Sequence, residues 1–234
     1  MKRTDDRGID YPLYVSSADR RFVRAMINSV RDYCKLNKIT KPIVACSGGI
    51  DSTCLLHICL QVQTIMNQFQ PMVAHVSHQL RPVENKKEIE FITHLFKNAY
   101  ILDGKVEKGK GLQEKARDSR LFLLGKLLKE TDANCVFTAH TETDDFETII
   151  MRIFQKRISF NEHKQRVVYG IKPHSKINGM SIHRPLIFWS RKDVERYMSV
   201  FRLTWCEDSS NKSTDYARNF VRNVIVPKAK EKFK

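Results

Sequence analysis

The residues Ser47-Gly48-Gly49-Ile50-Asp51-Ser52 stand directly between an apolar run at 42–46 and a longer apolar, helix-compatible run at 53–62. A short apolar run, a glycine turn and an apolar helix form the pattern of a buried strand feeding a helix, which commits the chain to an α/β unit. The turn reads as a phosphate cradle. Its glycines let the backbone approach an anion closely, and the helix behind it offers unpaired N–H groups and the positive end of its dipole. Ser47 and Ser52 add hydroxyl donors. Asp51 would repel a bare phosphate unless it holds Mg²⁺ against a nucleotide. An ordinary Gly-Gly turn capped by Asp or Ser is the plainer reading of the same residues. The lysine of GxxxxGK[ST] and the spacing of GxGxxG, the two commoner phosphate loops, are both missing.

Strand and helix patterns alternate along most of the chain. Helical spacing of apolar residues predicts helices over 18–36, 53–66, 84–96, 112–130 and 146–154, and short apolar runs predict strands over 43–46, 71–76, 99–102 and 135–139. The alternation argues for a Rossmann-like parallel sheet with helices on both faces, in which ligands sit beyond the carboxyl ends of the strands. Three chemically loaded turns, at Ser47, His78 and His140, each follow a predicted strand, so the fold is expected to gather them at one edge. The 234 residues suffice for one sizeable α/β domain and argue against a second full one. The expected division is a loosely structured lead-in at 1–17, the domain at 18–211 with an irregular basic loop at 155–181, and a basic segment at 212–234.

Charge points to the partner. The chain carries 41 basic and 26 acidic side chains, a net +15, which suits a polyanion because each neutralised phosphate releases counterions. Between Arg152 and Arg184 eight basic residues face a single acid, Glu162, and 212–234 is basic again. Such local concentrations fit a nucleic acid better than an evenly basic surface does. The six cysteines form no CxxC pair and several lie in apolar runs, which points to a reducing compartment and away from a zinc ribbon or an iron–sulfur site. No run of about 18 apolar residues is present and the first 14 residues do not suit a signal peptide, so a cytoplasmic chain without a membrane partner is expected. No HExxH and no supported Ser-His-Asp order is present, which ranks zinc hydrolysis and covalent serine catalysis low.

Further along, in the turn after His140, Asp144, Asp145 and Glu147 fall within four positions of one another. Carboxylates this close repel one another unless a divalent metal or an amine shares the space, although acids in a first helical turn, with Asp144 as cap, are also favoured by the dipole. Arg117 and Arg120, spaced i and i+3, suit a phosphate clamp or an exposed salt-bridged face equally well. His75 and His78 flank a strand end, where a histidine is more often a hydrogen-bonded structural residue than a ligand.

The SGGxDS turn resembles the PP-loop of the ATP pyrophosphatases, whose fold is adenine nucleotide alpha hydrolase-like, and which cleave ATP between the α and β phosphates. The later blocks narrow the resemblance. His75-Val76-Ser77-His78-Gln79-Leu80-Arg81-Pro82, Gly111-Leu112-Gln113-Glu114-Lys115-Ala116-Arg117 with Arg120, the turn from Ala139-His140 to Glu147-Thr148, Arg184-Pro185-Leu186, Glu207-Asp208-Ser209-Ser210-Asn211 and Arg218-Asn219 with Arg222 are similar to motifs of the tRNA(Ile)-lysidine synthetase family. The resemblance implies an ATP- and Mg²⁺-dependent ligase that adenylates the wobble cytidine of an isoleucine tRNA with a CAU anticodon and joins free L-lysine to it. It also implies roles. Ser47, Gly48, Gly49, Ile50, Asp51 and Ser52, with His78, Arg81 and His140, would bind ATP; Asp51 and Asp144 would hold the metal. Asp51, Arg117, Asp144 and Glu147 would carry catalysis, and Arg157, Lys164, Arg166, Arg184, Arg218 and Arg222 would touch tRNA. A homodimer stays open.

The chain departs from the family in two places and in its length. One acid of the His140 turn has moved by a position, and Gln155-Lys156-Arg157-Ile158-Ser159 replaces an expected Arg-Gly-Ser-Gly turn. The chain stops at Lys234 where many relatives continue into tRNA-binding domains, so weaker tRNA affinity, or affinity supplied by the excess charge, is expected. A PP-loop tRNA thiolase is the alternative enzyme, though the two-thiocytidine type carries a CxxC. A non-catalytic RNA-binding protein that kept the fold is the alternative outside enzymes.

Overall fold

The computed structural model describes every residue except 1, 5–8, 13–14, 81, 108, 110, 158, 161–165, 208–216 and 233–234. At its centre is a six-stranded sheet of order β5-β4-β3-β6-β10-β9, built from β3 (Pro42–Ala45), β4 (Met72–Ser77), β5 (Tyr100–Asp103), β6 (Cys135–Phe137), β9 (His174–Ile177) and β10 (Met180–His183). All neighbours run parallel except the β9–β10 hairpin. The two central strands, β3 and β6, are buried almost throughout, as parallel strands covered on both faces must be, whereas the edge strand β5 is largely exposed.

One face of the sheet is covered by α1 (Ser17–Leu36), α2 (Ile50–Ile65), α3 (Pro82–Leu95) and α6 (Arg191–Phe201). Helix α1 is amphipathic, with Val23, Met26, Ile27, Val30 and Cys34 buried and Ser16 capping its start through the Asp19 N–H at 3.0 Å. By contrast α2 is apolar nearly all round, because it lies between β3, α1 and α6. The opposite face belongs to α4 (Leu112–Glu130), whose Leu124 and Leu127 pack on Ile43, Ala74, Val136 and Ile182. Helices therefore lie on both faces, as expected. No described helix is long and apolar enough to cross a membrane.

The structure corrects the expected boundaries in several places. The lead-in carries an antiparallel pair, β1 (Lys2–Thr4) with β2 (Asp10–Pro12), and between them Ile9 is fully buried in the core. Helix α2 begins at Ile50, so Asp51 and Ser52 belong to its first turn. Helix α5 (Glu142–Phe154) starts four residues before the predicted 146, because Thr141 and Asp144 form a reciprocal capping box; Thr141, not Asp144, is the cap. Among its described residues, the segment 155–181 is not wholly irregular. It contains β7 (Ser159–Phe160), β8 (Arg166–Val167) and β9, and its end enters β10 through a two-residue turn with Asn178 at φ 50° and Gly179 at φ 79°. Positive φ at both central residues is the geometry that Asn-Gly favours in hairpins. At the carboxyl end, α7 (Ala217–Phe220), a π-helical turn (Val221–Ile225) and α8 (Val226–Lys232) follow one another.

The added hairpin is fastened to α1 through His183. Its Nδ1 lies 2.9 Å from the Tyr33 hydroxyl, its Nε2 lies 3.2 Å from Ser181 Oγ, and its ring stacks on His174. Burial, helped by the charges of His174 and Arg184, pushes the His183 imidazole down to about 4. The unfolded ring protonates near pH 6.5 while the folded ring stays neutral, so stability present at neutral pH is lost as pH falls from about 6.5 towards about 4. Replacing His183 by Gln should therefore flatten the fall in unfolding free energy over that window by roughly 1–2 kcal/mol. Urea unfolding at pH 7 and pH 4.5 measures it; an unchanged slope would contradict the assignment.

Candidate active site

The turn after β3 is folded around the hydroxyl of Ser52. Ser52 Oγ donates to the Gly49 carbonyl at 2.9 Å and accepts the Ser47 N–H at 3.2 Å, with Ser47 Oγ at 3.1 Å, while Thr53 Oγ1 donates to the Gly48 carbonyl at 3.1 Å. These bonds satisfy the inner side of the turn. Gly48, at φ 84°, lies in the left-handed region open to glycine, and its carbonyl accepts the Cys206 N–H at 2.9 Å. At the helix start Gly49 provides no side-chain cap, so the first-turn N–H groups of α2 face outward for an anion. Ser52 is buried and braces the loop, whereas Ser47 is exposed and can reach a ligand.

Asp51 projects from that first turn. Its Oδ2 accepts from Arg191 Nη1 at 2.7 Å, and its Oδ1 is buried without a hydrogen-bond partner. Burial pushes the Asp51 carboxyl up to about 6, Arg191 and Arg222 oppose the shift, and the nearby Asp144 charge adds to it. Asp51 and Asp144 therefore lie within electrostatic reach of each other. Asp144 divides its oxygens: Oδ2 closes the capping box, and Oδ1 accepts from Arg222 Nη2 at 3.1 Å. Glu147, only 1% exposed, takes Arg222 through both oxygens at 2.6 and 2.9 Å. Arg218 adds a hydrogen bond to Thr148 Oγ1 at 3.0 Å and lies 4.0 Å from Glu147. The third acid, Asp145, accepts the backbone N–H of Ile171 and so ties α5 to the approach to β9.

Three histidines line the same carboxyl edge. His75 Nδ1 lies 3.0 Å from the Cys46 carbonyl and His78 Nδ1 lies 2.9 Å from the Gly104 carbonyl, so both Nδ1 atoms carry the proton and both buried Nε2 atoms are lone-pair acceptors. Burial lowers the basicity of both. It pushes His140 down to about 4, with Asp144 pulling the other way and Arg184, Arg218 and Arg120 adding to the fall. The charge of Arg120 also reaches His75 and His78, and that of Arg117 reaches Arg120 and Arg184. Beside Arg117 and Arg120, Ser119 Oγ donates to the Gly104 carbonyl at 3.3 Å, so this part of α4 lies against the carbonyl that also holds His78.

The basic residues expected at a tRNA backbone divide. Arg157 is exposed just beyond α5, Arg166 begins β8, and Lys164 and Arg81 lie outside the described residues, as does most of the Glu207 to Asn211 motif. Arg184 is buried, with Nη1 donating to the Lys172 carbonyl at 2.8 Å and to Ser175 Oγ at 3.0 Å. Arg218 and Arg222 point at α5 rather than outward. Sequence reasoning missed Arg191. A signal was present: Ser190 and Asp193 form a second capping box, which sets Arg191 at the first position of α6. The Arg191 N–H donates to Thr143 Oγ1 at 3.0 Å, so the starts of α5 and α6 are joined.

Because Glu147 is buried and paired, removing its partner strands a charge. Arg222→Met is expected to lower the unfolding free energy by roughly 3 kcal/mol, and the double variant Glu147→Met, Arg222→Met to recover most of that loss. Urea titration of the three proteins decides; a single variant within about 0.5 kcal/mol of wild type would contradict the pairing.

Comparison with known proteins follows the same lines. A family described as the PP-loop domain matches residues 17–229. The chain is 32% identical to the tRNA(Ile)-lysidine synthase of Thermosipho africanus over 214 residues, which are 88% of this chain and 47% of that protein. It is 35% identical to the enzyme of the same name from Wolbachia sp. subsp. Brugia malayi, covering 79% of this chain and 43% of the relative. The chain thus spans about half the length of the curated relatives it matches. Among solved structures it resembles a U34-tRNA thiolase of Methanococcus maripaludis, with a TM-score of 0.71 at 12% identity over 98% of this chain and 81% of that one. It also resembles the NAD+ synthetase of Burkholderia pseudomallei, with a TM-score of 0.52 at 10% identity over 89% of each chain. At such identities the likeness is one of fold. The sequence match is what identifies the lineage, and because it runs from the first residue of α1 into α8, this chain belongs to the PP-loop domain family.

Proposed function

We propose that the chain modifies an isoleucine tRNA with a CAU anticodon, using ATP to adenylate C2–O of the wobble cytidine and free L-lysine to displace AMP. The observation that carries the reading is the uncapped start of α2 beside Asp51, whose buried Oδ1 has no partner. An anion seat and an unsatisfied carboxylate oxygen side by side suit a triphosphate with a hard cation. The similarity to two tRNA(Ile)-lysidine synthases supplies the substrate class.

In this reading the turn 47–52 receives the β and γ phosphates, and its backbone N–H groups, with Ser47, stabilise the leaving pyrophosphate. Arg117 on α4 meets the anionic side. Asp51 and Asp144 would hold Mg²⁺, which fits a donor set of two carboxylates completed by phosphate oxygens; when bound, the ion would offset the charge that develops on the phosphates. Arg222 is shared between Glu147, which it meets through both oxygens, and Asp144, which it meets through one, so Asp144 is the less fully paired of the two carboxylates beside which a lysine ammonium would sit. The neutral histidines at 75, 78 and 140 keep that edge free of added positive charge at neutral pH. Bond by bond, the cytidine oxygen attacks the α phosphorus and pyrophosphate leaves; the lysine amine then attacks C2, loses a proton, and AMP departs. Arg157 and the basic stretch around it would meet the tRNA backbone.

The thiolase shares the fold, which carries no chemistry by itself, and the cysteines speak against a thiolase reading. Five of the six are buried, and burial pushes Cys34 and Cys135 up to about 12, the opposite of a reactive thiolate. Incubation with ATP, lysine and the isoleucine tRNA transcript, followed by mass spectrometry of the tRNA, should show a lysine-dependent gain in mass. A product independent of lysine, or a gain of sulfur, would reject the proposal. Asp51→Asn should lower product formation by roughly 100-fold while the protein stays folded, since it removes a charged ligand of the cation that the reacting phosphates need; undiminished turnover would contradict the role given to Asp51.

A further inference from the structure

Arg191 sits where a cation is out of place unless an anion is meant to meet it. It is the first residue of α6, at the positive end of that helix dipole. Its backbone is fixed from two sides, by the Ser190–Asp193 capping box and by the bond to Thr143 at the start of α5. Its side chain spans two carboxylates, Asp51 at 2.7 Å through Nη1 and Glu195 at 3.1 Å through Nε, and is 38% exposed, so it has room to move. Charge is already balanced around the loop: Asp51, Asp144 and Glu147 face Arg191, Arg218 and Arg222. A divalent cation entering alone would compete with Arg191 for Asp51. A cation that arrives with a triphosphate is different, because its phosphates offer the displaced guanidinium a new partner with matching fork geometry.

We propose that Arg191 is a phosphate-binding residue held in reserve, which neutralises Asp51 in the empty site and passes to the phosphate oxygens when the nucleotide and its cation take Asp51. The proposal rests on the PP-loop reading and adds to it a residue that SGGIDS does not contain. The swap breaks one ion pair and makes another, with no covalent change. Glu195 keeps the arginine near the rim while it moves, and the fixed backbone means that the travel is by side-chain rotation alone.

The test is calorimetric binding of pyrophosphate in the presence of Mg²⁺ to the wild type, Arg191→Met and Arg191→Lys, with electron paramagnetic resonance of Mn²⁺ as a second readout. Arg191→Met should bind pyrophosphate roughly tenfold more weakly and bare Mn²⁺ several-fold more tightly, and Arg191→Lys should recover part of the pyrophosphate affinity. The metal measurement separates the exchange from a structural ion pair, whose loss would lower the thermal midpoint without tightening Mn²⁺. Unchanged affinities for both probes in a folded Arg191→Met would overturn the proposal, as would weaker binding of both. Should Arg191→Met not fold, Arg191→Lys decides: its single ammonium lacks the fork, so pyrophosphate binding equal to wild type would contradict the assignment. If the wild type binds no pyrophosphate at all, the PP-loop reading itself fails and this inference falls with it; wild-type binding that Arg191→Met matches rejects only the role of Arg191.

Discussion

The site depends on one hydroxyl turned inward. Ser52 Oγ bonds to the Gly49 carbonyl and to the Ser47 N–H, and those contacts close the loop from within. Because the inner groups are satisfied, the first-turn amides of α2 are left to face outward as donors for an anion. Gly48 at φ 84° permits the bend, and the buried strand β3 fixes where it occurs. The neighbours of β3 then do the rest: β4 delivers His75 and His78, and β6 delivers His140 and the start of α5, all at the same end of a parallel sheet.

Around this rigid turn lies a set of ion pairs that differ in kind. Glu147 with Arg222 is buried and bidentate, and it fastens the carboxyl-terminal helices to α5. Such a pair is strongly destabilising to break from one side, so it acts as an anchor. Asp51 with Arg191 is partly open to solvent, leaves one carboxylate oxygen unsatisfied, and bridges two helix starts. A contact of that kind can exchange partners. The two arginines are exposed to a similar extent, and it is the burial of the carboxylate, complete for Glu147 and partial for Asp51, that separates the two pairs.

Much of this was legible in the chain. The alternation of periods announced the parallel sheet, and the glycine turn marked the sharp bend between its central strand β3 and helix α2. What escaped reading did so for physical reasons. Strand β9 is an edge strand of mixed polarity, His174-Ser175-Lys176-Ile177, with no apolar run to reveal it, although Asn178-Gly179 marked the hairpin. The starts of α5 and α6 were written in two capping boxes, Thr141 to Asp144 and Ser190 to Asp193, that apolar periodicity passes over. The partners of Asp51 and Glu147 lie 140 and 75 positions away, a distance across which charge in a sequence carries no address. Hence Arg222, Asp144 and Glu147 could each be singled out from the sequence, while the pairing that joins them could not.

The central claim is that the turn after β3 receives a departing pyrophosphate, and the identity of the nucleotide products tests it most directly. Phosphorus NMR of a reaction containing ATP, Mg²⁺, lysine and the isoleucine tRNA should show AMP and pyrophosphate appearing together, in equal amounts. ADP with orthophosphate would mean cleavage at the γ phosphate and would contradict the account.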